Sequence, residues 1–324
     1  METPLRGAAL AATDTIVCLC ADTDDPVIER VRSWAQAREF DFSAHPVGST
    51  PPLSTTGTLG VSVGGDGTFL EAVRLFGPAG IPVAGVNRGT LSFLARIQPA
   101  DATDALGEIC RGEATVHPRQ QFRVTARSLD TVGINDVMVE PPGDRRDCRL
   151  HVFADSEYVG ESVGGGLSLN TPTGSTAMGL STGVPLQHPD GTATLQLVPL
   201  HHERLGVRSV VLDADREIAL VPATTVRVTV DGGRATATLA PERTLRVTGA
   251  DRPALLVRTS GEASFIDALG SKLGWALADD APARTPDEAV ECRPRRGEHA
   301  GKSTGNRDDD RDVRSPGSGR HSQK

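Results

Sequence analysis

The apolar run at residues 59–63 leads directly into a glycine-rich loop, and this junction constrains the fold more than any other feature of the chain. The loop consists of Gly64, Gly65, Asp66, Gly67 and Thr68, and an apolar-periodic segment follows it to residue 76. A buried strand, a tight turn and a helix account for this order. Glycines let the backbone approach a ligand, and the first N–H groups of a helix favour an anion. We therefore predict a ligand-facing turn; the alternative is a strand-to-helix turn that simply requires glycine.

Asp66 supplies the only carboxylate of this loop. A carboxylate repels phosphate, so this side chain is suited to accept a proton from a hydroxyl group or to hold a metal ion rather than to anchor a phosphate. We predict a catalytic role for Asp66.

Strands and helices alternate through residues 1–115. Strand-like runs at 15–20, 59–63 and 81–86 are separated by helix-like segments at 26–39 and 68–76, and a further helix is expected at 100–111. This alternation predicts an α/β domain with a parallel, Rossmann-like sheet, in which ligands bind beyond the carboxyl ends of the strands. Asp66 and Asn87 both follow such ends. Asn87 could bind the ligand, or it could cap the turn toward Gly89.

The pattern changes after residue 115 to short alternating stretches that are typical of strands. They occupy residues 122–126, 132–139, 149–153, 195–198, 207–212, 218–221, 226–230, 244–247 and 254–257. We predict a mostly β domain over residues 116–257. A final helix within residues 258–278 is expected to pack back on the first domain. The tail at 279–324 is dominated by Pro, Gly, Ser and charged residues, which predicts disorder.

Composition excludes several classes of function. The net charge of -8 and the presence of only three lysines argue against nucleic-acid binding. The five cysteines form no CxxC pair and suit buried free thiols better than disulfides or a zinc site. No leader sequence or membrane-length apolar run is evident, so a cytoplasmic protein without membrane contact is expected. An acidic, lysine-poor chain suits a high-salt cytoplasm, such as that of a halophilic archaeon, or a GC-rich genome.

A second dense motif begins at Asn170, shortly after Gly164, Gly165 and Gly166. Hydroxyl side chains at 171, 173, 175 and 176 flank Pro172 and Gly174. Such a turn can present hydroxyls and free backbone N–H groups to a polar ligand. A plain helix cap, the alternative, would need only one hydroxyl. Neither the Walker loop nor the dinucleotide fingerprint after the first strand occurs in the chain.

These motifs together resemble the NAD kinase family in order and spacing. The matching positions are residues 64–68, Gly85, Asn87, Gly89, Leu91, Phe93, Leu94, Asn135, Asp136, residues 171–177, Asp231, Gly232, Phe265, Lys272 and Trp275. The string at 171–177 is specific, whereas lipid and sugar kinases share loops like the one around Asp66.

The resemblance implies phosphoryl transfer from ATP, or from polyphosphate in some members, to the 2′-hydroxyl of the adenosine ribose of NAD, giving NADP. Asp66 matches the family's base. The nucleotide-binding positions that it implies are Gly64, Gly65, Gly67, Thr68, Asn87, Asn135, Asp136, Thr173, Ser175, Thr176, Ala177 and Met178. Mg²⁺ would bridge the donor's phosphates, with no protein side chain assigned as its ligand. A homodimer or homotetramer is also implied.

The chain departs from the family pattern at three places. Gly165-Gly166 stands where Asp-Gly is common, Met178 replaces a Tyr, and His202-Glu203 aligns with Pro-His. These changes bear on recognition of the nicotinamide half and leave Asp66 in place. They keep open a catalytically weakened NAD(P)-binding regulatory protein of the same fold. A lipid or sugar kinase that shares only the Asp66 loop is a third hypothesis.

Overall fold

The structure of the chain, a computed structural model, describes residues 5–89 and 92–274. Leu91, Trp275, the end of the predicted final helix and the tail at 279–324 lie outside these ranges.

Strands dominate the described ranges. The first six are β1 (Leu5–Arg6), β2 (Thr15–Cys20), β3 (Asp41–Pro46), β4 (Thr58–Gly64), β5 (Val83–Asn87) and β6 (Thr115–Arg119). The next twelve are β7 (Phe122–Ala126), β8 (Leu129–Gly133), β9 (Asp136–Glu140), β10 (Cys148–Ala154), β11 (Glu157–Gly164), β12 (Gly166–Asn170), β13 (Thr194–Leu200), β14 (Val210–Asp213), β15 (Ile218–Pro222), β16 (Val226–Val230), β17 (Ala235–Leu239) and β18 (Leu245–Gly249). The last is β19 (Ala254–Arg258).

The α-helices of the described ranges are α1 (Pro26–Gln36), α2 (Asp66–Phe76), α3 (Ala102–Cys110), α4 (Met178–Ser181) and α5 (Phe265–Leu273). The side chain of Asp25 caps α1 by accepting a hydrogen bond from the backbone N–H of Val27, and Pro26 stands in its first turn. None of these described helices is long and apolar enough to cross a membrane.

The predicted parallel sheet of the first domain is confirmed. Within the described residues it has seven strands in the order β1-β6-β19-β5-β4-β2-β3. The five strands from β19 to β3 run parallel, while β6 is antiparallel to β19 and β1 is antiparallel to β6. Gly64 and Asn87 are partners across β4 and β5, so the two strand ends that carry the predicted site residues lie side by side.

Helix α2 holds the glycine-rich loop against this sheet. It begins at Asp66, two residues before the predicted start, because extended Gly65 is its N-cap and the N–H groups of Thr68 and Phe69 both bond the Gly65 carbonyl. The ring of Phe69 is 1% exposed and packs where Gly85 has no side chain: a Cβ at Gly85 would lie 2.6 Å from a carbon of that ring. This close contact fixes the distance between α2 and β5.

The predicted mostly β domain is also confirmed. Among the described residues it consists of two six-stranded sheets, ordered β11-β10-β15-β18-β7-β8 and β14-β13-β12-β9-β16-β17. Every recorded pairing in them is antiparallel. Buried residues of both sheets, including Phe122, Leu150, Leu169 and Val228, form one core cluster, so the sheets pack face to face. Cys18, Cys20 and Cys148 are buried free thiols, as predicted.

Several strands differ from the predicted pattern. The stretch expected at 132–139 divides into β8 and β9, and the sequence did not predict β1, β3, β6, β11, β12 or β17. Both β6 and β19 join the first sheet, where they pair with each other, although the predicted boundaries placed them in the domain at 116–257. The chain therefore leaves the first sheet, builds the second domain and returns. Local alternation does not reveal which sheet a strand will join, because pairing is decided over long sequence separation.

The contact between Phe69 and β5 predicts a large stability effect. We expect Phe69→Ala to lower the free energy of unfolding by about 3 to 5 kcal/mol, because it opens a cavity beneath α2. Urea unfolding followed by circular dichroism measures the loss. Leu205→Ala is the control: Leu205 is 90% exposed, so the change should stay within about 0.5 kcal/mol. Equal effects of the two substitutions would contradict the packing described here.

Candidate active site

Asp66 lies at the start of α2, where the loop at residues 92–95 donates four hydrogen bonds to its carboxylate and so grips it. Oδ1 accepts hydrogen bonds from the Ser92 hydroxyl and from the N–H groups of Leu94 at 3.1 Å and Ala95 at 3.3 Å. Oδ2 accepts the N–H of Phe93, at 2.9 Å, as its one donor among the described residues. Oδ1 is thus fully used by three donors, whereas Oδ2 keeps a lone pair for a further donor. Ser92 is not among the site residues that the sequence predicts, and its partner Asp66 lies 26 residues away along the chain.

The neighbouring strand end is a closed turn. The Asn87 Oδ1 atom accepts the N–H of Gly89 at 2.8 Å, which is the capping arrangement that the sequence left open. The backbone N–H of Arg88 donates to the Gly64 carbonyl at 2.9 Å, and its guanidinium pairs with Asp25 at 2.7 Å. These contacts tie the Asn87 turn to the loop that carries Asp66.

Asp231 organises the second half of the site. It follows β16 with a φ of 47°, is 2% exposed, and accepts the N–H groups of Ile134, Asn135 and Asp136 at 2.8 to 3.1 Å. Burial raises the pKa of Asp231, and these three N–H groups act in the opposite direction. From the sequence, Asp231 is predicted to be a residue of a hairpin turn rather than a ligand contact. The structure shows that its carboxylate also shapes the segment between β8 and β9.

Asn135 and Asp136 present unusual polar groups at this break in the strands. The Oδ1 atom of Asn135 is buried and has no hydrogen-bond partner within the described part of the chain. A buried acceptor without a donor is costly, so this atom is suited to a ligand hydroxyl or amine.

The Asp136 carboxyl is the second buried acid of this half-site. Burial, and after it the charge of Asp231, raises the pKa of Asp136 to about 7, while the backbone N–H of Met178 lowers it in part. This carboxyl can therefore change its charge near neutral pH, and it lies next to the start of α4.

Hydroxyl groups of the turn at 171–177 mostly hold the turn itself. The Thr171 hydroxyl donates to the Ile134 carbonyl, and the Thr176 hydroxyl donates to the Thr173 carbonyl at 3.0 Å. The Ser175 hydroxyl donates to Pro172 at 2.7 Å and accepts the N–H of residue 187 at 2.9 Å. From the sequence, this excess of hydroxyls predicts contacts with a ligand. The structure uses three of the four to build a rigid turn.

The turn is packed closely against the Asn135 segment and leaves one edge accessible. The backbone N–H of Thr171 donates to the Asn135 carbonyl at 2.9 Å, and a side chain at Gly174 would overlap that same carbonyl. Ala177 and Met178 are only half-buried, as is Thr176, so these positions form the open edge of the turn.

A small cleft of about 10 Å³ lies between the loop at 92–96 and the turn at 171–177. It is lined by Phe93, Leu94, Arg96, Arg119, Pro172, Thr173, Thr176, Pro189, Arg258 and Phe265. The loop that grips Asp66 therefore faces the turn at 171–177. On another side, Arg234 Nε donates to the Gly67 carbonyl at 3.2 Å and ties the Asp231 hairpin to the glycine-rich loop. The predicted motifs thus converge, although they are separated by more than 100 residues along the chain.

Two of the three departures from the family pattern lie together and away from Asp66. Gly165 would place a Cβ 3.1 Å from the His201 ring, and the N–H of Glu203 donates to the Val163 carbonyl at 3.0 Å. They are at the start of β12, whereas the turn at 171–177 follows its end, roughly 15 to 20 Å along the strand. Met178, in contrast, is part of the turn.

A larger cleft of about 1240 Å³ shares Pro172 with the first and is lined by His117, His188 and Asp190 among others. It does not include Asp66 or the residues that grip it. No group of three or more His, Cys, Asp or Glu side chains that could hold a metal ion occurs within residues 5–89 and 92–274.

The chain is similar in sequence to known protein families and proteins. Residues 58–114 match the ATP-NAD kinase N-terminal domain and residues 134–259 match the ATP-NAD kinase C-terminal domain. The NAD kinase of Teredinibacter turnerae is 34% identical over 240 residues, which cover 71% of this chain and 81% of that protein. The NAD kinase of Moorella thermoacetica is 34% identical over 243 residues, covering 72% and 77%.

Solved structures share the fold. Yeast NADH kinase in complex with NADH superposes with a TM-score of 0.70 at 20% identity, covering 85% of this chain and 89% of that one. An NAD kinase from Archaeoglobus fulgidus in complex with ATP gives a TM-score of 0.64 at 20% identity, covering 76% and 94%.

The raised pKa of Asp136 predicts how stability changes with pH. The folded value of about 7 lies above the unfolded value of about 3.9, so between these pH values the folded state binds more protons and stability falls as pH rises. Asn at position 136 cannot ionise. We expect the free energy of unfolding of Asp136→Asn to exceed that of wild type by about 1 to 4 kcal/mol between pH 5 and pH 8, with the larger difference at the higher pH. Urea unfolding at four pH values measures this; parallel stability curves for the two proteins would contradict it.

Proposed function

The chain belongs to the NAD kinase family, and we propose that it transfers the γ-phosphoryl group of ATP to the 2′-hydroxyl of the adenosine ribose of NAD, giving NADP and ADP. The observation that carries this proposal is the carboxylate of Asp66, which has three donors on Oδ1 and one described donor on Oδ2. Two of the residues that bind it, Phe93 and Leu94, line a cleft together with Pro172, Thr173 and Thr176 of the turn at 171–177.

Asp66 Oδ2 supplies the base in this mechanism. The 2′-hydroxyl donates its hydrogen bond to Oδ2, which orients the oxygen for attack on the γ-phosphorus. A new oxygen–phosphorus bond forms as the bond from the γ-phosphorus to the β–γ bridging oxygen breaks, and the hydroxyl proton passes to Asp66. The electron pair of the broken bond leaves with ADP. Three donors on Oδ1 and one on Oδ2 keep the carboxylate from rotating during this step.

The other half-site would hold the dinucleotide. Asn135 Oδ1 offers an acceptor for a ribose hydroxyl or the adenine amine, and Asp136 stands beside it. Thr173, Thr176, Ala177 and Met178 would line the cleft wall, with Ser175 holding the turn from inside. Phosphoryl transfer of this kind depends mainly on positioning and on charge neutralisation, and Mg²⁺ bound to the ATP phosphates would supply part of the latter.

The assembly and the location stay predictions. The edge strand β14 exposes Val210 and Val211, which supports pairing between copies of the chain in a homodimer or homotetramer. We retain the cytoplasm as the expected location.

Asp66→Asn should abolish the reaction. We expect the rate of NADP formation, measured with ATP, Mg²⁺, NAD and an NADP-specific dehydrogenase, to fall at least about a hundredfold, because an amide cannot accept the proton. Asp24→Asn changes an exposed carboxylate and should leave the rate unaltered. A folded wild-type protein that binds NAD but forms no NADP with any donor would instead indicate a regulatory binding protein.

Ser92→Ala tests the hydrogen bond that the Ser92 hydroxyl donates to the carboxylate of Asp66. Loss of one donor to Oδ1 frees Asp66 to rotate, so we expect kcat to fall about tenfold while the KM for NAD changes little, in keeping with the loss of a single hydrogen bond to a charged group. Ser54→Ala, at an exposed position, is the matched control. A rise in KM with unchanged kcat would argue against a positioning role for Ser92.

A further inference from the structure

Four basic side chains crowd around the loop that grips Asp66. They are Arg96, Arg119, Arg258 and Lys272. Two of them have carboxylate partners: Arg119 pairs with Asp190, and Arg258 pairs with Glu262 at 3.0 Å and also donates to the Leu94 carbonyl at 2.7 Å. These two arginines are nearly fully buried and their charges are compensated.

Arg96 and Lys272 differ from this pair. Neither has a carboxylate within salt-bridge distance in the portion of the chain that the structure describes. Arg96 donates from Nε to the Phe93 carbonyl at 2.9 Å and from Nη1 to the Ala263 carbonyl at 2.7 Å. Lys272 Nζ lies 4.7 Å from the centre of the Phe93 ring. Both cations therefore contact the residue whose N–H binds Asp66 Oδ2.

Their surroundings leave positive charge without a counterion. Burial, and after it the charge of Arg258, lowers the pKa of Arg96 to about 10, so Arg96 is still protonated at neutral pH. Burial and the charge of Arg96 also lower the pKa of Lys272, while Asp66 acts in the opposite direction on both groups. Cations held close together and partly out of water are stabilised by an anion.

The basic side chains that line the cleft are Arg96, Arg119 and Arg258, and within the described residues Arg96 is the one of the three without a carboxylate partner. The wall formed by Pro172, Thr173 and Thr176 carries only neutral groups, whereas the wall formed by the loop at 92–96 carries the guanidinium of Arg96. Guanidinium and ammonium groups are the side chains that bind phosphate oxygens most strongly. The phosphates of a ligand bound beside this cleft would therefore lie on the side of the loop at 92–96 rather than on the side of the turn at 171–177.

We propose that Arg96 and Lys272 bind the polyphosphate chain of the phosphoryl donor next to Asp66. This inference rests on the proposed function, and it identifies the donor by its chemistry, a linear chain of phosphates. The triphosphate of ATP and an inorganic polyphosphate share that chemistry. The N-terminus of α2, which begins at Asp66 and has no side-chain cap, adds N–H groups that favour the same anion.

The test uses the full-length chain and three substitutions. Arg96→Met and Lys272→Met remove the charge and keep an apolar stem, and Arg243→Met does the same at an exposed arginine outside the cleft. Calorimetry with inorganic tripolyphosphate gives a Kd that does not depend on turnover. Initial rates with ATP, and separately with inorganic polyphosphate, give the KM of each donor and the KM of NAD.

We expect the first two variants to weaken tripolyphosphate binding and to raise the KM of the active donor about ten- to hundredfold, as the loss of a charged hydrogen bond implies. The KM of NAD should change less than about twofold, and Arg243→Met should match wild type in every measurement. A donor KM raised for ATP alone or for polyphosphate alone identifies which source the site serves.

Unchanged tripolyphosphate affinity in both variants, or a raised KM for NAD in place of the donor, would overturn the proposal. If wild type forms no NADP yet loses tripolyphosphate binding in the variants, the proposed reaction fails and the anion site stands. Should Arg96→Met fail to fold, because it releases the Phe93 and Ala263 carbonyls, Lys272→Met and the charge-preserving Arg96→Lys decide the question.

Discussion

The buried carboxylate of Asp231 is the contact on which the rest of the site depends. It accepts three successive backbone N–H groups and so fixes the path of the chain between β8 and β9. Without this carboxylate the three N–H groups would lose these bonds, and a buried donor left without a partner costs about 1 to 3 kcal/mol. The path fixed in this way positions the Asn135 carbonyl, which accepts the backbone N–H of Thr171 at the start of the turn. Arg234, three residues after Asp231, donates to the Gly67 carbonyl. The segments that Asp231 and Arg234 hold thus include both the turn at 171–177 and the glycine-rich loop.

Much of the fold could be predicted from local patterns. Alternating strands and helices identified the parallel sheet, and the glycine-rich loop identified the end of β4 as the ligand edge. The parts that could not be predicted depend on distant partners. β3 is a half-exposed edge strand containing Asp41 and His45, so it lacks an apolar signature. β6 was not predicted as a strand, and β19 was predicted without its sheet; the pairing of β19 with β5 and with β6 places both strands in the first sheet.

The same distinction separates the site residues. Asp66, Asn135, Asp136 and the turn at 171–177 could be predicted as candidate site residues because their motifs resemble those of the NAD kinase family. The contact that each hydroxyl of the turn makes could not be predicted, because it depends on which carbonyl lies within reach. Three of the four hydroxyls bond backbone carbonyls. Ser92 and Arg96 belong to no motif of charged or glycine residues. Their importance follows from the loop at 92–96 wrapping around Asp66, which only the three-dimensional structure reveals.

The return of the chain through β19 has a consequence for how the protein is made. β19 lies between β6 and β5 in the middle of the first sheet, so that sheet has a gap until residue 258 has left the ribosome. The second domain, with its own core, can fold while the first is still waiting for its missing strand. Synthesis thus completes the later domain before the earlier one, and the edge of β5 must be kept from pairing elsewhere while the intervening β domain is translated.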